Sequence, residues 1–280
     1  MEHDADPLTD VSLIIKTFER PDCLARLLAS IRAHDYDRCP VVVADDSRSP
    51  SRDRTLDAFS DVVDEYVVLP HKIGVSAGRN ELLRRVQTDY FVIHDDDFVY
   101  GEETDIGTAY RELIASDLDL LGGYLLEKEK EYATTLLPRR VQEAIEWYEN
   151  TWTVSARAAN LVEIDGGVAI RPRPREGQAP YRCDFTLNFF IARTRLIRDV
   201  VGGWHPDLSP TGEHWEFFYR CKKAGLNVAF SDAFGVYHLP GRNARYADAR
   251  YGEEKEMIEI SLAEHGLEYL DRGDDVFVRS

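Results

Sequence analysis

The segment YFVIHDDDFVY, Tyr90–Tyr100, runs from an apolar stretch into three consecutive aspartates and then becomes apolar again. Its first half has the length and residue types of a strand that is buried on both faces of a sheet. Three adjacent carboxylates repel one another, so a cation or another partner is expected where this strand ends. The segment therefore predicts both a strand of the central sheet and a ligand site at its carboxyl end.

Strand and helix patterns alternate along the chain before this segment. The strand patterns are VSLIIKTF (11–18), VVVADDS (41–47) and VDEYVVLP (63–70), and the helical patterns are PDCLARLLASIRAH (21–34) and SAGRNELLRRVQ (76–87). Short apolar strands that alternate with amphipathic helices predict an α/β fold with a mostly parallel central sheet and helices on both faces. Ligands of such sheets bind at the carboxyl ends of the strands.

The second half of the sequence is less regular. A helix near 104–116 and the strand LDLLGG precede a mixed stretch, 127–180, in which RPRPREGQAP has the composition of a loop. Further strands are predicted in YRCDFTLNFFIAR and NVAFSDAFGVYHL, with a helix between them in EHWEFFYRCKKAG. We predict one domain over residues 1–240, followed by a tail, 241–280, with one helix.

Charge and cysteine content restrict the class of protein. The 280 residues contain 34 Lys and Arg against 51 Asp and Glu, a net charge of −17, which disfavours nucleic acid as a partner. Four cysteines without CxxC spacing favour reduced thiols and no zinc site. The acidic N-terminus and the lack of a long apolar run predict a cytoplasmic protein without a transmembrane segment, although peripheral contact with a membrane stays open.

The three aspartates have two interpretations. Asp95 and Asp97, two residues apart after a strand, could bind a hard divalent cation that carries a diphosphate. They could equally form a solvated acidic turn. Gly74 and Arg79 of GVSAGRN suggest an anion site at a helix N-terminus, but both residue types are also common for structural reasons.

Other candidate residues are similarly ambiguous. Asp46 could contact a nucleobase or ribose, or cap the following helix. Glu213, His214 and Glu216 lie at a predicted helix start, where acidic residues are also favoured by the helix dipole. His238 follows an apolar strand and is either a metal ligand or a hydrogen-bonded core residue.

Taken in order, these segments resemble the inverting glycosyltransferases of GT-A fold, broadly family two. Within that class they look most like the β-1,4-N-acetylgalactosaminyltransferases. The segments that carry the resemblance are KTFERPDCLARLLASIR, VVVADDS, GVSAGRN, YFVIHDDDFV, DLLGG, NFFIAR and HPDLSPTGEHWEFF, which lie within about 11–238. The resemblance implies a nucleotide-binding half at about 8–123 and an acceptor-side half at about 124–240. It also implies a UDP-sugar donor, a glycan or lipid-linked acceptor, and Mn²⁺ or Mg²⁺.

The resemblance also implies roles for individual residues. The donor-binding set is Thr17, Phe18, Arg20, Asp46, Gly74, Arg79, Asp95, Asp96 and Asn188. The metal-binding set is Asp95, Asp97 and His238, with Asp97 the more direct ligand and Asp95 nearer the ribose. Asn188 would approach the donor sugar.

The resemblance leaves the catalytic base open. Many family members have Glu-Asp where this sequence has Glu213-His214, and the second residue takes the proton of the acceptor hydroxyl. His214 is the positional match, and an imidazole suits that task, but Glu213 and Glu216 are alternatives. The hydroxyl would attack the anomeric carbon from the face opposite the diphosphate, so that one displacement inverts the configuration.

Two other functions remain open at this level. A sugar-phosphate nucleotidyltransferase would have a glycine-rich phosphate loop after the first strand, where this chain has KTFERPD. A non-catalytic nucleotide-sugar or glycan-binding relic would keep the fold and lose the base. Metal-dependent phosphate hydrolysis is disfavoured, because no second carboxylate cluster suggests a two-metal site.

Overall fold

The computed structural model describes residues 7–128, 152–155, 158–174, 176–208, 212–240, 254–273 and 275–279. Its strands in chain order are β1 Val11–Thr17, β2 Val41–Asp45, β3 Glu65–Val68, β4 Tyr90–Asp95, β5 Phe98–Val99, β6 Leu120–Lys128, β7 Trp152–Ser155, β8 Ala159–Ile164, β9 Gly167–Pro172, β10 Tyr181–Arg182, β11 Phe190–Arg193, β12 Val228–His238, β13 Tyr269–Asp271 and β14 Val276–Val278. The α-helices are α1 Pro21–Ala33, α2 Arg52–Phe59, α3 Val75–Arg85, α4 Ile106–Ala115, α5 Glu213–Lys223 and α6 Glu254–Glu264. A 3₁₀-helix, Pro7–Asp10, precedes β1, and a π-helix, Leu196–Val201, follows β11.

Among the described residues, ten strands form the central sheet, in the order β10-β12-β6-β11-β4-β1-β2-β3, with β5 paired to β12 and β7 paired to β6. The strands β3, β2, β1 and β4 are parallel, as predicted. β11 then runs antiparallel to both β4 and β6, while β12 pairs parallel with β6. The predicted parallel arrangement holds for β1 to β4, and the sheet becomes mixed beyond β4 because β11 runs antiparallel to both of its neighbours.

Helices cover both faces of this sheet, as predicted. Successive residues of a strand point to opposite faces, so Leu13 and Ile15 of β1 pack with α1 and α4, while Ile14 packs with α3 and α5. β1 is wholly buried along its length, which explains its unbroken apolar run. No helix in the described part of the chain has the length and hydropathy needed to cross a bilayer.

A second sheet of four strands, in the order β14-β13-β9-β8, joins the middle of the chain to its end. The tail contains the predicted helix, α6, but also β13 and β14, which were not predicted. Ile258 and Leu262 of α6 and Leu270 of β13 are completely buried in the same core as α5. No regular structure was predicted within 127–180. The described residues of this stretch include β8 and β9, which form an antiparallel hairpin and supply two of the four strands of the second sheet.

Candidate active site

A cleft of about 380 Å³ opens at the carboxyl ends of β1, β2 and β4. Its lining residues come from these strand ends, from the start of α3, from the segment before β11, from the loop before α5 and from α5 itself. The predicted site residues among them are Thr17, Phe18, Arg20, Asp46, Gly74, Arg79, Asp95, Asp97, Asn188, Glu213, His214 and His238. Two predicted site residues, Asp96 and Glu216, do not line it.

Asp46 organises one end of the cleft. Its carboxylate forms an ion pair with Lys16 and accepts a hydrogen bond from the amide of Gly74 at 3.1 Å. Gly74 has φ +99° and ψ 163°, a conformation that is essentially restricted to glycine. A Cβ on Gly78 would lie 2.2 Å from Cε of Lys16, so this second glycine leaves room for the lysine chain. Because Asp46 is only 2% exposed, its first task is to hold Lys16 and this turn in place.

Asp96, for which a contact with the donor was predicted, lies beneath the cleft and does not line it. It is completely buried, accepts a hydrogen bond from Thr17 Oγ1 at 2.6 Å and pairs with Arg20. Burial raises the pKa of Asp96 to about 7 against the opposing effect of Arg20. Arg20 also donates to Asp97 at 2.5 Å, so one guanidinium binds both carboxylates.

Asp97 and His238 form a pair at the other side of this guanidinium. His238 Nε2 lies 3.5 Å from Asp97 Oδ2, and its Nδ1 lies 2.9 Å from Glu127 Oε1. Burial would lower the pKa of His238, but the two carboxylates outweigh burial and raise that pKa to about 9. Burial would likewise raise the pKa of Asp97, but the hydrogen bonds from His238 and Arg20 lower it.

The Asp97 and His238 pair fits a divalent metal. Two neighbouring ligands of an octahedral ion with bonds near 2.1 Å lie about 3 Å apart, close to the separation of these two side chains. Carboxylate oxygen and imidazole nitrogen are both suitable donors, and the imidazole must first lose its proton. The described residues contain no group of three His, Cys, Asp or Glu side chains arranged to hold a metal. Asp95 therefore does not join Asp97 and His238 in one such group, and a metal bound by these residues stays a prediction.

Arg79 explains why Asp95 is held apart from this pair. Its guanidinium donates to Asp95 at 2.9 Å and to Glu213 at 3.2 Å, and it lies 5.7 Å from the ring centroid of Trp204. The side chain of Arg79 is 2% exposed, so it is buried in protein rather than extended towards solvent. Arg79 therefore links the end of β4 to the start of α5 across the cleft floor.

His214 occupies the first turn of α5 and is half-buried. Its Nε2 lies 2.7 Å from the carbonyl oxygen of Thr186, and its ring stacks on Phe185 with centroids 4.7 Å apart. A carbonyl only accepts, so Nε2 carries a hydrogen, and the lone pair of the neutral ring lies on Nδ1. The backbone contact thus fixes the tautomer that a base would need.

Glu216, the third candidate for the base, lies outside the cleft and is completely buried. Arg220 binds both of its oxygens, with Nε at 2.6 Å and NH2 at 3.0 Å, and His265 Nε2 donates to Oε1 at 3.0 Å. One helical turn separates Glu216 from Glu213, but its three hydrogen bonds turn it towards the C-terminal segment. The structure therefore does not bring Glu216 into the cleft with Glu213 and His214.

Two further residues border the donor side of the cleft. Asn188 Oδ1 is buried and has no hydrogen-bond partner among the described residues, so it is suited to accept from a ligand donor. Phe18 stacks on His71 with ring centroids 5.9 Å apart, and His71 Nδ1 lies 3.2 Å from the carbonyl oxygen of Asp46. These residues give the cleft an aromatic edge next to Lys16 and Gly74.

Several lining residues were not predicted as site residues. They are Lys16, Lys72, Ile73, Val75, Phe98, Leu125, Leu187, Pro206, Asp207 and Leu208. Only Lys16 left a usable signal, since it is the one charged residue in the apolar strand β1. Burial lowers the pKa of Lys16, against the opposing charge of Asp46.

Comparison with known proteins identifies the family of the chain. Residues 12–175 match the model of glycosyl transferase family 2, which is more than half of the chain. The β-1,4 N-acetylgalactosaminyltransferase 2 of Mus musculus is 33% identical over 211 residues, which are 74% of this chain and 35% of that protein. The chain thus spans about a third of the length of the curated relatives it matches.

Solved structures of low sequence identity share the fold. GalNAc-T7, solved with UDP, GalNAc and Mn²⁺, has a TM-score of 0.61 at 15% identity and covers 84% of this chain, or 45% of that chain. S. aureus TarS 1-349 in complex with UDP-GlcNAc has a TM-score of 0.58 at 16% identity, with 91% of this chain and 66% of that chain covered. The GT-A fold predicted from the sequence is confirmed, and so is the resemblance to β-1,4-N-acetylgalactosaminyltransferases.

Proposed function

This chain belongs to glycosyl transferase family 2, as the sequence predicted, and we propose that it is a metal-dependent inverting glycosyltransferase. In this proposal it transfers a sugar from a UDP-sugar to a hydroxyl of a glycan or lipid-linked acceptor. The observation that carries the proposal is the composition of one cleft. Asp97 and His238, which fit a metal, line the same cleft as Glu213 and His214, which fit a base. The cleft volume of about 380 Å³ lies in the range of small-ligand sites.

In this proposal the donor nucleotide occupies the end of the cleft that is bordered by Phe18, Lys16 and Gly74. The metal would be held by Asp97 and His238 and would supply positive charge to the leaving diphosphate. Asn188, whose buried oxygen has no hydrogen-bond partner in the described part of the chain, accepts a hydrogen bond from the donor sugar. A relative and a neighbour that carry GalNAc in their names favour an N-acetylhexosamine as that sugar.

The base removes the proton of the acceptor hydroxyl as that oxygen attacks the anomeric carbon. His214 is our first choice because its Nε2 donates to the carbonyl oxygen of Thr186, which leaves Nδ1 as the proton acceptor. Glu213 is the alternative, although Arg79 holds one of its oxygens at 3.2 Å. The bond from the anomeric carbon to the diphosphate oxygen breaks as the new bond forms on the opposite face, which inverts the configuration.

The test is a thermal-unfolding screen of the protein with UDP-GalNAc, UDP-GlcNAc, UDP-glucose and UDP-galactose, each with and without Mn²⁺. A ligand at one hundred times its dissociation constant stabilises a protein by about 2.7 kcal/mol, which such a screen detects. We expect stabilisation by at least one UDP-sugar with Mn²⁺ and little without it. The matched control is Asp97→Asn, which should lose the Mn²⁺-dependent part.

A second arm separates the enzyme from a binding relic. The donor that stabilises best is incubated with N-acetylhexosamine- and galactose-terminated acceptors, and UDP release and the anomeric configuration of the product are measured. Transfer with inversion supports the proposal. Stabilisation without transfer to any acceptor favours the binding relic, and equal stabilisation with and without Mn²⁺ contradicts the metal dependence.

A further inference from the structure

Helix α5 carries both candidates for the base, and its buried side faces the C-terminal segment. Met257 of α6 lies directly against Gly212, the residue before the helix, where an added Cβ would be 3.0 Å from Met257 Cβ and 3.1 Å from Met257 O. Gly212 has φ −90° and ψ −30°, which any residue can adopt. The glycine is therefore explained by the close approach of α6 and not by its backbone conformation.

A second contact lies one turn further along α5. His265, just after α6, donates from Nε2 to Glu216 Oε1 at 3.0 Å, and its ring packs edge-on against Tyr219 with centroids 5.0 Å apart. Glu216 is fully buried, so the loss of a donor would leave a buried carboxylate partly unsatisfied. The C-terminal segment thus holds α5 at two points, Gly212 and Glu216.

The same cluster reaches the other element that borders this side of the cleft. Arg220, which binds Glu216, also donates from NH1 to the carbonyl oxygen of Val201 at 2.6 Å. Val201 ends the π-helix, and the loop that follows supplies Pro206, Asp207 and Leu208 to the cleft lining. We call Glu216, Arg220 and His265 the junction, because they tie together α5, this loop and the C-terminal segment.

We propose that the C-terminal segment, residues 254–271, is needed for activity because it holds the first turn of α5 in position. His265 is a positioning residue that acts through the junction. The inference rests on the proposed function, because it concerns the placement of the base that acts on the acceptor. Neither His265 nor Met257 lines the cleft, so both act through other residues. The nucleotide end of the cleft, at Lys16 and Gly74, has no contact with the junction among the described interactions.

This separation sets the expected signature. α5 is tied to α3 by the Glu213–Arg79 ion pair, but Lys16, Asp46 and Gly74 at the donor end make no contact with α5 among the described interactions. Displacing α5 therefore moves the base relative to the acceptor hydroxyl more than it moves the donor end. A misplacement of about 1 Å can lower turnover by about 10²-fold, so we expect kcat to fall roughly ten- to a hundred-fold while the UDP dissociation constant with Mn²⁺ stays within about twofold.

The experiment compares four variants of the whole chain. His265→Leu removes the donor to Glu216, and His265→Gln retains an N–H donor at a similar reach. Gly212→Ala places a methyl group against Met257, and Gly107→Ala, in α4, is its control because an added Cβ there meets only side-chain atoms at 3.4 Å or more. For each variant kcat, the donor KM, UDP affinity and hydrogen exchange of a peptide over 213–223 are measured.

We expect His265→Leu and Gly212→Ala to lower kcat and to speed exchange in the first turns of α5, with 21–33 of α1 unchanged. His265→Gln and Gly107→Ala should behave like the wild type. If His265→Leu does not fold, Gly212→Ala carries the test alone, because it removes no hydrogen bond.

Unchanged α5 exchange in both disruptive variants would overturn the inference, as would full kcat despite faster exchange. Equal losses of UDP affinity and kcat would mean that the segment stabilises the whole fold and not the first turn of α5, which would also overturn the inference. A wild type that transfers no sugar from any donor would defeat the proposed function, while the exchange measurement would still decide the coupling.

Discussion

Replacing Arg79 by methionine should destabilise the fold strongly, because the structure buries this guanidinium between two carboxylates. Arg79 is 2% exposed and Glu213 is 6% exposed, so their pair is shielded from solvent. Removing one partner of a buried pair costs about 3–5 kcal/mol, whereas the contact with Asp95, which is a third exposed, adds at most about 1 kcal/mol. Methionine preserves much of the packing against Trp204. We therefore expect a loss of about 3 kcal/mol.

The control for this prediction lies on the same helix. Arg85 also pairs with two carboxylates, Glu81 and Glu65, but a third of its side chain is exposed, so Arg85→Met should cost at most about 1 kcal/mol. The assay is urea unfolding, in which a change of midpoint at constant slope reports stability. For a domain of this size, about 3 kcal/mol also corresponds to a fall of roughly 6–12 °C in Tm.

A double-mutant cycle identifies the partner. Glu213→Gln in the Arg79→Met background should recover stability, because it removes the buried negative charge that the guanidinium of Arg79 no longer offsets. Equal stability losses for Arg79→Met and Arg85→Met would refute the buried-pair argument, and so would strict additivity in the cycle. A loss of UDP affinity without loss of stability would instead restore Arg79 as a phosphate ligand.

Three further substitutions test the metal and the base. Asp97→Asn should abolish Mn²⁺-dependent UDP binding in calorimetry, and it should also lower Tm without ligand because it breaks the buried pair with Arg20, so binding is measured well below the Tm of the variant; undiminished binding would contradict the metal site. His238 has a folded pKa of about 9 against 6.5 unfolded, so its charge stabilises the metal-free protein fully below pH 6.5, and this contribution is lost as pH rises through 9. His238→Gln should therefore cost stability at pH 6 and progressively less towards pH 9.5 in urea unfolding, whereas a constant difference would argue against that charged pair. His214→Ala should lower turnover by roughly 10²–10⁴-fold with donor binding retained, and near-normal turnover would move the base to Glu213.

The first half of the fold was predicted best from the sequence, because there the local pattern of apolar residues determines which segments form strands and helices. The apolar run predicted at 11–18 is β1, Val11–Thr17, and the helix predicted at 21–34 is α1, Pro21–Ala33. Since these strands are parallel, their carboxyl ends meet at one edge, and the position of the cleft followed from that rule. The antiparallel entry of β11 was not predictable in this way, because an apolar run of four residues does not encode its direction.

The site residues divide along the same line. Asp95 and Asp97 line the cleft, as their i and i+2 spacing suggested, but the sequence did not indicate that Asp96 would be bound from below by Thr17 and Arg20. The contact of Arg79 with Glu213 joins residues 134 positions apart, and local propensity carries no information about it. Long-range ion pairs of this kind determine which carboxylates line the cleft and which lie beneath it.

The balance of charge in the cleft gives a physical reason to expect a metal. Within the described part of the chain, four Lys and Arg residues line the cleft: Lys16, Arg20, Lys72 and Arg79. Three of them already pair with carboxylates of the chain, and Lys72 is exposed. The positive charges of Lys16, Arg20 and Arg79 are therefore already neutralised by carboxylates of the chain. A diphosphate that entered the cleft without a metal would be repelled by the other carboxylates there. A divalent ion on Asp97 and His238 would make the local electrostatic potential positive. UDP without Mn²⁺ should therefore bind weakly, even at low ionic strength, where exposed charges such as Lys72 act most strongly.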